Sequence, residues 1–166
     1  MREELVEVLV KVKKNMLLAL AMILLYTLCG CLVLYGMLMT SFLVMLIGAV
    51  LGFLGYLCGT KSSIEYEYTY CSKEIDIDII YSASKRKKVL TLDLSKMEAL
   101  VRVSGNKMGE YKNRQVLVKD YSSKNPENAE NVYALFYEGN IEYLIEPGER
   151  LLNALSYVCP RKIFKD

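Results

Sequence analysis

The chain has 166 residues, of which 53% are hydrophobic, and it carries 21 Lys and Arg against 19 Asp and Glu. This length fits one modest domain with a small extra element, and a net charge of +2 is too small for a nucleic-acid-binding surface. The sequence contains no His and no Trp. Because His is the commonest general base and metal ligand, its absence argues against most hydrolases and metalloenzymes, and we expect no metal, cofactor or small-molecule substrate.

The charged residues divide the chain into segments. Positions 15–60 form 46 consecutive residues without Asp, Glu, Lys or Arg, whereas one membrane crossing needs about 20 apolar residues. We therefore predict two transmembrane helices, at about 15–35 and 42–59, with the turn at 36–41. The predicted segments are a juxtamembrane helix at 1–14, a transmembrane helical hairpin at 15–60 and a cytoplasmic domain at 61–166.

The segment before the apolar run has the spacing of an amphipathic helix. Leu5, Val8, Leu9 and Val12 recur at intervals of three and four, and glutamates precede lysines by four residues on the other face. The pattern predicts a short helix that either lies along the inner membrane surface or runs straight into the first crossing. Its three glutamates are untypical of a secretory signal, so we expect no cleavage.

The second apolar helix carries a stripe of glycines. Gly48, Gly52, Gly55 and Gly59 follow one another at intervals of four, three and four, which places them on one face and lets another helix approach closely. The occupant is either the first helix of the same hairpin, near Gly30, or a second copy or partner subunit. Neither predicted helix contains a charged residue, so the hairpin is interpreted as an anchor and not as an ion path.

Lysines flank the hairpin at both ends. Lys11, Lys13 and Lys14 precede it and Lys61 follows it, while the turn carries no charge. The positive-inside rule then places both ends in the cytoplasm. The sequence predicts a multi-pass protein of the cell (inner) membrane with both termini cytoplasmic, and its five cysteines, which form no CxxC pair, are expected to be reduced thiols.

From Lys61 onward the apolar period changes to two, which predicts strands. Tight turns are expected at 71–73 and at Gly139-Asn140, and Pro147 is expected to open a helix that Cys159-Pro160 ends. The apolar stripe of that helix is Leu151, Leu152, Leu155 and Val158. The seven predicted strands are 64–70, 74–79, 89–94, 97–103, 115–121, 131–138 and 141–146. We predict a bent antiparallel sandwich capped by one C-terminal helix.

The clearest candidate binding site of the domain is a run of four consecutive cations: Lys85, Arg86, Lys87 and Lys88. We predict a basic loop there. Because each cation near an anionic membrane contributes on the order of 1 kcal/mol, the loop is a candidate for binding an anionic surface or a lipid headgroup. The alternative is a solvated hairpin tip.

Two further patterns have both a functional and a structural interpretation. Tyr66, Tyr68 and Tyr70 line one face of a strand, where they either receive a peptide by strand addition or belong to the core. The carboxylates that alternate with apolar residues are Glu65, Glu67, Asp76 and Asp78. They favour a water-facing surface over a divalent-ion site. No nucleophile-and-base motif occurs, so we expect no enzymatic activity.

Four segments of the chain resemble parts of the pleckstrin-homology-like (PH-like) fold. They are the strands at 65–70 and 75–79, the basic-then-apolar segment 85–94 and the entry into the last helix at 145–147. Together with the hairpin, the chain is similar to small bacterial membrane proteins in which two transmembrane helices precede a PH-like domain of the YcxB type. In lipid-binding PH domains the cations usually lie in the first hairpin turn, here 71–73.

The resemblance implies a non-enzymatic membrane protein that displays a cytoplasmic PH-like domain as a binding or scaffolding module. Its partner would be a protein, or else an anionic lipid surface. The alternative from a different class is a structural subunit of a larger membrane complex, assembled through the glycine stripe of the second helix.

Overall fold

The computed structural model describes residues 5–82 and 85–165. These residues form two compact units. One unit contains the β-sheets and comprises 5–13, 65–80 and 86–165; the other contains the helical hairpin and comprises 14–64 and 81–85, less the two residues outside the described ranges.

In chain order, the elements are β1 Val6–Lys11, α1 Met16–Leu38, α2 Phe42–Ser62, β2 Ile64–Cys71, β3 Glu74–Tyr81, β4 Lys85–Asp93, β5 Met97–Arg102, α3 Met108–Tyr111, β6 Leu117–Asp120, β7 Tyr133–Tyr137, β8 Ile141–Ile145, α4 Gly148–Val158 and β9 Ile163–Phe164. Short 3-10 helices at Pro126–Asn131 and Pro160–Lys162 complete the described elements. One sheet has the order β1-β2-β3-β4 and the other the order β6-β8-β7-β5-β9. Two apolar helices are thus followed by a sheet-rich region and a C-terminal helix.

The prediction of an amphipathic helix before the hairpin is wrong for residues 5–14. β1 pairs antiparallel with β2 along its whole length. Val6 and Val10 are buried while Leu9 is 49% exposed, so burial follows a period of two. The apolar residues of this segment fit both the helical spacing of three and four and the strand spacing of two. The valines are β-branched, and such residues favour a strand once a partner strand covers them. Residues 1–4 of that prediction lie outside the described residues.

The structure has a strand at each of the seven predicted positions, and it adds β1 and β9 among the described residues. β6 pairs with β8 in parallel and β5 pairs with β9 in parallel, so this sheet is not purely antiparallel as was expected. The prediction missed this because local periodicity specifies which residues face the core but not which strands are neighbours.

Two boundaries differ from the prediction for local reasons. Tyr137 pairs with Ile141, and Glu138 and Gly139 both have positive φ, so the turn between β7 and β8 spans three residues and not two. α4 begins at Gly148, with Pro147 as its N-cap, one residue later than predicted.

One apolar core joins both sheets and α4. It contains Tyr68 and Ile75 of the first sheet, Leu135 and Ile145 of the second, and Leu151 of α4. Leu152 and Leu155 of the predicted stripe are also buried, whereas Val158 is 37% exposed. The C-terminal helix therefore covers the core with its first two turns.

A second apolar cluster lies on the outer face of the five-stranded sheet. Ala99, Val101, Ala134 and Phe136 are each at most 1% exposed. The Tyr111 ring of α3 stacks on the Phe136 ring with 4.7 Å between centroids. This face of the sheet is thus buried as well, which accounts for the uninterrupted apolar sequence of β7.

The helical unit is a tight hairpin. The Asn15 side chain caps α1 by accepting a hydrogen bond from the Leu17 N–H at 3.1 Å. In the turn, Thr40 has a positive φ and the Ser41 N–H donates to the Gly36 carbonyl at 2.9 Å. α1 has 23 residues and α2 has 21, and both are long and apolar enough to cross a membrane.

Candidate functional site

The glycine stripe of α2 faces α1 of the same hairpin. A Cβ atom added at Gly48 would lie 3.0 Å from Cγ2 of Val33, and one added at Gly52 would lie 3.0 Å from Sγ of Cys29. The helix axes therefore approach closely because these positions lack side chains.

The stripe continues to the end of α2. A Cβ atom at Gly55 would lie 3.3 Å from Cβ of Leu25, and one at Gly59 would lie 2.8 Å from Sδ of Met22. The contacts of Gly48 and Gly52 are with Cys29, Leu32 and Val33, so the predicted contact near Gly30 is confirmed, although a Cβ atom on Gly30 itself would have no atom within 4 Å. α1 therefore covers the stripe, which is the intramolecular one of the two predicted occupants, and the structural-subunit hypothesis stays a prediction.

The predicted basic loop is a strand. Lys85, Arg86, Lys87 and Lys88 form the first half of β4. Arg86 makes an ion pair with Glu67 of β2, and its Nε lies 3.9 Å from Oδ2 of Asp78. Lys88 pairs with Asp76 at 2.8 Å. The prediction of a loop was wrong because opposite charges on neighbouring strands stabilise the extended conformation.

These ion pairs occupy the carboxylates that the sequence offered as a cation site. Lys11 Nζ lies 3.9 Å from Oε1 of Glu65, which completes the row begun by Arg86 and Lys88. In the part of the chain that the structure describes, no three or more His, Cys, Asp or Glu side chains are placed to hold a metal. We call this row of paired charges on the outer face of the four-stranded sheet the charge ladder.

Asp76 shows the electrostatic effect of the ladder. Partial burial tends to raise the pKa of its carboxyl group, but hydrogen bonds from Lys88 Nζ at 2.8 Å and Thr91 Oγ1 at 2.6 Å outweigh burial and hold the pKa below its ordinary value. The same contact raises the pKa of Lys88. Both partners thus stay charged across the neutral range.

The tyrosine stripe of β2 belongs to the core. Tyr66, Tyr68 and Tyr70 are all less than 10% exposed, and the Tyr68 hydroxyl donates to the Tyr121 carbonyl at 2.6 Å. Burial raises the pKa of Tyr68. Such side chains cannot receive an added peptide strand, so the structural interpretation of the stripe holds and the peptide-binding one is wrong.

A small cleft of about 170 Å³ lies at the C-terminal end of α2, within the helical unit. Its lining residues are Tyr56, Leu57, Thr60, Lys61, Tyr81 and Lys85. Inside this unit, the Ser82 N–H donates to the Ser63 carbonyl at 2.9 Å, which fixes the end of β3 beside the end of α2. The lining of this cleft is thus largely apolar and includes two lysines and two tyrosines.

Sequence reasoning singled out Lys85 as a candidate anion-binding residue and Lys61 as a charge that flanks the hairpin, but it did not bring the two together, and it missed Tyr56 and Tyr81. The available signal was the spacing of Tyr56 and Lys61 at the polar end of the apolar run, since Tyr and Lys are typical of membrane–water interfaces. Tyr81 gave no signal, because only the pairing of strands brings it to the helix end.

The chain belongs to the family described as bacterial PH-like domain (DUF6106), whose family model matches residues 2–165. The comparison with curated proteins found no match, and neither did the comparison with solved structures. The match supports the PH-like part of the expected resemblance and includes both apolar helices, while the closer likeness to the YcxB type stays a prediction.

Proposed function

We propose that this chain is an integral membrane protein whose helical hairpin holds a PH-like domain on the cytoplasmic face as a non-catalytic binding or scaffolding module. One observation carries the proposal. β1 and β2 are neighbouring strands, with Lys11 opposite Glu65, and the whole hairpin is the connection between them. The domain is therefore joined to the hairpin at two places by short segments.

Three properties of the helices support membrane insertion. At about 1.5 Å per residue, α1 and α2 each extend roughly 30 Å, the thickness of the hydrocarbon layer. Large apolar side chains such as Leu17, Leu38 and Phe42 are mostly exposed, which water would penalise and lipid would not. The glycine stripe of α2 packs against α1, and close packing through small residues is typical of helices in membranes.

The proposed orientation follows from pairing and charge. Because β1 and β2 belong to one sheet, both ends of the hairpin must lie on the same side of any membrane that it enters. The lysines at those ends, Lys11, Lys13, Lys14 and Lys61, favour the cytoplasmic side. We therefore place the sheets in the cytoplasm.

We propose a protein partner, bound at the edge strand β6. β6 ends its sheet, and Leu117 and Val118 are 60% and 52% exposed. An edge with exposed apolar side chains suits the addition of an extended segment of another protein. β4, which ends the other sheet, is instead protected by charges.

The orientation is tested with a membrane-impermeant thiol reagent and identification of the labelled site by mass spectrometry. Thr40→Cys in the helical turn should react in intact cells, while Tyr157→Cys on the exposed surface of α4 should react only after lysis. Labelling of Tyr157→Cys in intact cells would contradict a cytoplasmic domain, and release of the protein from membranes by alkaline washing would contradict insertion.

The partner is tested by purification of the full-length protein in mild detergent and identification of what co-purifies. Leu117→Ser together with Val118→Ser should lose a stoichiometric partner. The control, Tyr157→Ser with Val158→Ser, removes exposed apolar surface from α4 and should retain it. A partner kept by both variants would exclude the β6 edge, and recovery of a second copy of this chain would indicate a homo-oligomer.

A further inference from the structure

We infer that the cleft at the end of α2 binds the phosphate headgroup of an anionic phospholipid between Lys61 and Lys85. The inference rests on the proposed function, because it requires α2 to span the membrane. It deepens that function by naming a ligand class and a place that differ from the proposed protein-binding edge at β6.

The cations of the cleft differ from their neighbours in the charge ladder. Lys61 and Lys85 are exposed, and neither makes an ion pair with another residue in 5–82 or 85–165. Two ammonium groups that share one cleft repel each other. An anion between them removes that repulsion, and a phosphate oxygen accepts hydrogen bonds from both.

The two hydroxyl groups at the helix end already have hydrogen-bond acceptors, so they do not compete for the ligand. The Thr60 hydroxyl donates to the Leu57 carbonyl at 2.9 Å, and the Ser62 hydroxyl donates to the Gly59 carbonyl at 2.8 Å. The Ser62 bond also satisfies one of the last four carbonyls of α2, which form the negative end of the helix dipole. The two lysines are left as the groups that attract charge.

The apolar part of the cleft favours a lipid over a free anion. Tyr56 and Leu57 are 49% and 39% exposed, and with the Tyr81 ring they provide apolar surface beside the two cations. A volume of about 170 Å³ is below the usual range for a whole small molecule but admits a headgroup whose acyl chains continue along α2. Lys61 is the first charged residue after the apolar run. If α2 spans the membrane, Lys61 therefore lies at the depth of the lipid phosphates.

The test measures lipid binding to the full-length protein in neutral detergent by native mass spectrometry. Phosphatidylglycerol, phosphatidylcholine and inorganic phosphate are titrated in parallel. The test variant is Lys61→Gln with Lys85→Gln. The matched control, Lys112→Gln with Arg161→Gln, removes the same charge from exposed positions elsewhere. Circular dichroism checks that both variants keep their fold.

We expect phosphatidylglycerol to bind at least about tenfold more tightly than phosphatidylcholine, since two cations face the headgroup. The test variant should lose this preference and the control should keep it. Equal binding of the two lipids, or an unchanged preference in the test variant, would overturn the inference. Competition by inorganic phosphate as strong as that of the lipid would identify a site for a soluble anion instead.

Failure of the inference is distinguishable from failure of the proposed function. A protein that stays in membranes after alkaline washing but shows no preference for phosphatidylglycerol overturns only the lipid site. A protein that alkaline washing releases overturns the membrane hairpin, and the lipid site with it.

Discussion

The two sheets of the PH-like domain use their outer faces differently. On the four-stranded sheet, the outer face carries the charge ladder, in which Arg86 and Lys88 pair with carboxylates of β2 and β3. On the five-stranded sheet, the outer face carries a second apolar cluster around Phe136, covered by α3. One face is thus stabilised by charges that remain near water and the other by apolar burial. We therefore expect substitutions on the apolar face to lower the free energy of unfolding more than substitutions in the charge ladder.

The largest expected effect is on the apolar outer face. Phe136→Ala removes a ring that is 1% exposed and stacks on Tyr111, so we expect the free energy of unfolding to fall by about 3 to 5 kcal/mol. Chemical denaturation of the full-length protein in detergent, followed by near-UV circular dichroism, measures the change. Leu117→Ala, at the exposed edge of the same sheet, is the control and should change stability little. If Phe136→Ala lowered the free energy of unfolding as little as Leu117→Ala does, α3 would not cover this face.

The next effect distinguishes a strand from a helix before the hairpin. Val10 is buried and Leu9 is half exposed, whereas an amphipathic helix would place Leu9 on the apolar face. Val10→Asn should therefore cost about 2 to 4 kcal/mol, because it buries a polar side chain in the core, and Leu9→Asn should cost far less. The same denaturation experiment measures both. A larger cost at Leu9 would refute the pairing of β1 with β2.

A smaller loss is expected in the charge ladder. Arg86→Met leaves the buried Glu67 carboxylate without its cation, and we expect a loss of about 1 to 3 kcal/mol. Adding Glu67→Gln to that variant should restore part of the stability, since no uncompensated charge remains. Lys11→Met is the control, because Lys11 is largely exposed and lies 3.9 Å from Glu65. No recovery in the double variant would show that Arg86 acts through packing alone.

The smallest expected effect is an increase in the free energy of unfolding. Glu142 lies on the outer face of the five-stranded sheet, opposite Phe136, is 8% exposed, and burial raises the pKa of its carboxyl group. Because the folded state binds this proton more tightly than the unfolded state does, the ionised form lowers stability above the unfolded-state pKa of about 4.3. Glu142→Gln should therefore raise the free energy of unfolding at pH 7 by on the order of 1 kcal/mol or less.

The pH dependence checks the sign of that effect. The advantage of Glu142→Gln should shrink as the pH falls through the unfolded-state pKa of about 4.3, well below which Glu142 of the native chain is protonated in both states. Glu130→Gln, at an exposed position, should show no such trend. An advantage that grew at low pH would mean that the Glu142 carboxylate is stabilised by a cation in the folded state.

The difference between the faces also explains which parts of the domain were predictable. Apolar and polar residues alternate over 64–70 and 74–79, so the face that Glu65 and Asp76 share was correctly expected to lie opposite the core. Glu67 on that face is only 7% exposed, so it does not face water as expected. In β7 all five residues are buried, because a cluster covers the sheet on its other side, and alternation carries no information there. Arg86 and Lys88 were misassigned to a loop because their partners, Glu67, Asp76 and Asp78, lie on other strands, 8 to 19 positions away in sequence.

The sequence alone determined the properties that depend on composition and local spacing. The 46-residue uncharged run specifies two helices of membrane length, the glycine intervals specify a face for close packing, and alternation specifies the strands that begin at Ile64 and Glu74. Only the tertiary structure decided that Val6–Lys11 is a strand, that α1 covers the glycines and that Lys61 and Lys85 share a cleft. The physical reason is that each of these depends on a partner distant in sequence, which supplies the hydrogen bonds, the apolar cover or the neighbouring charge that local patterns leave open.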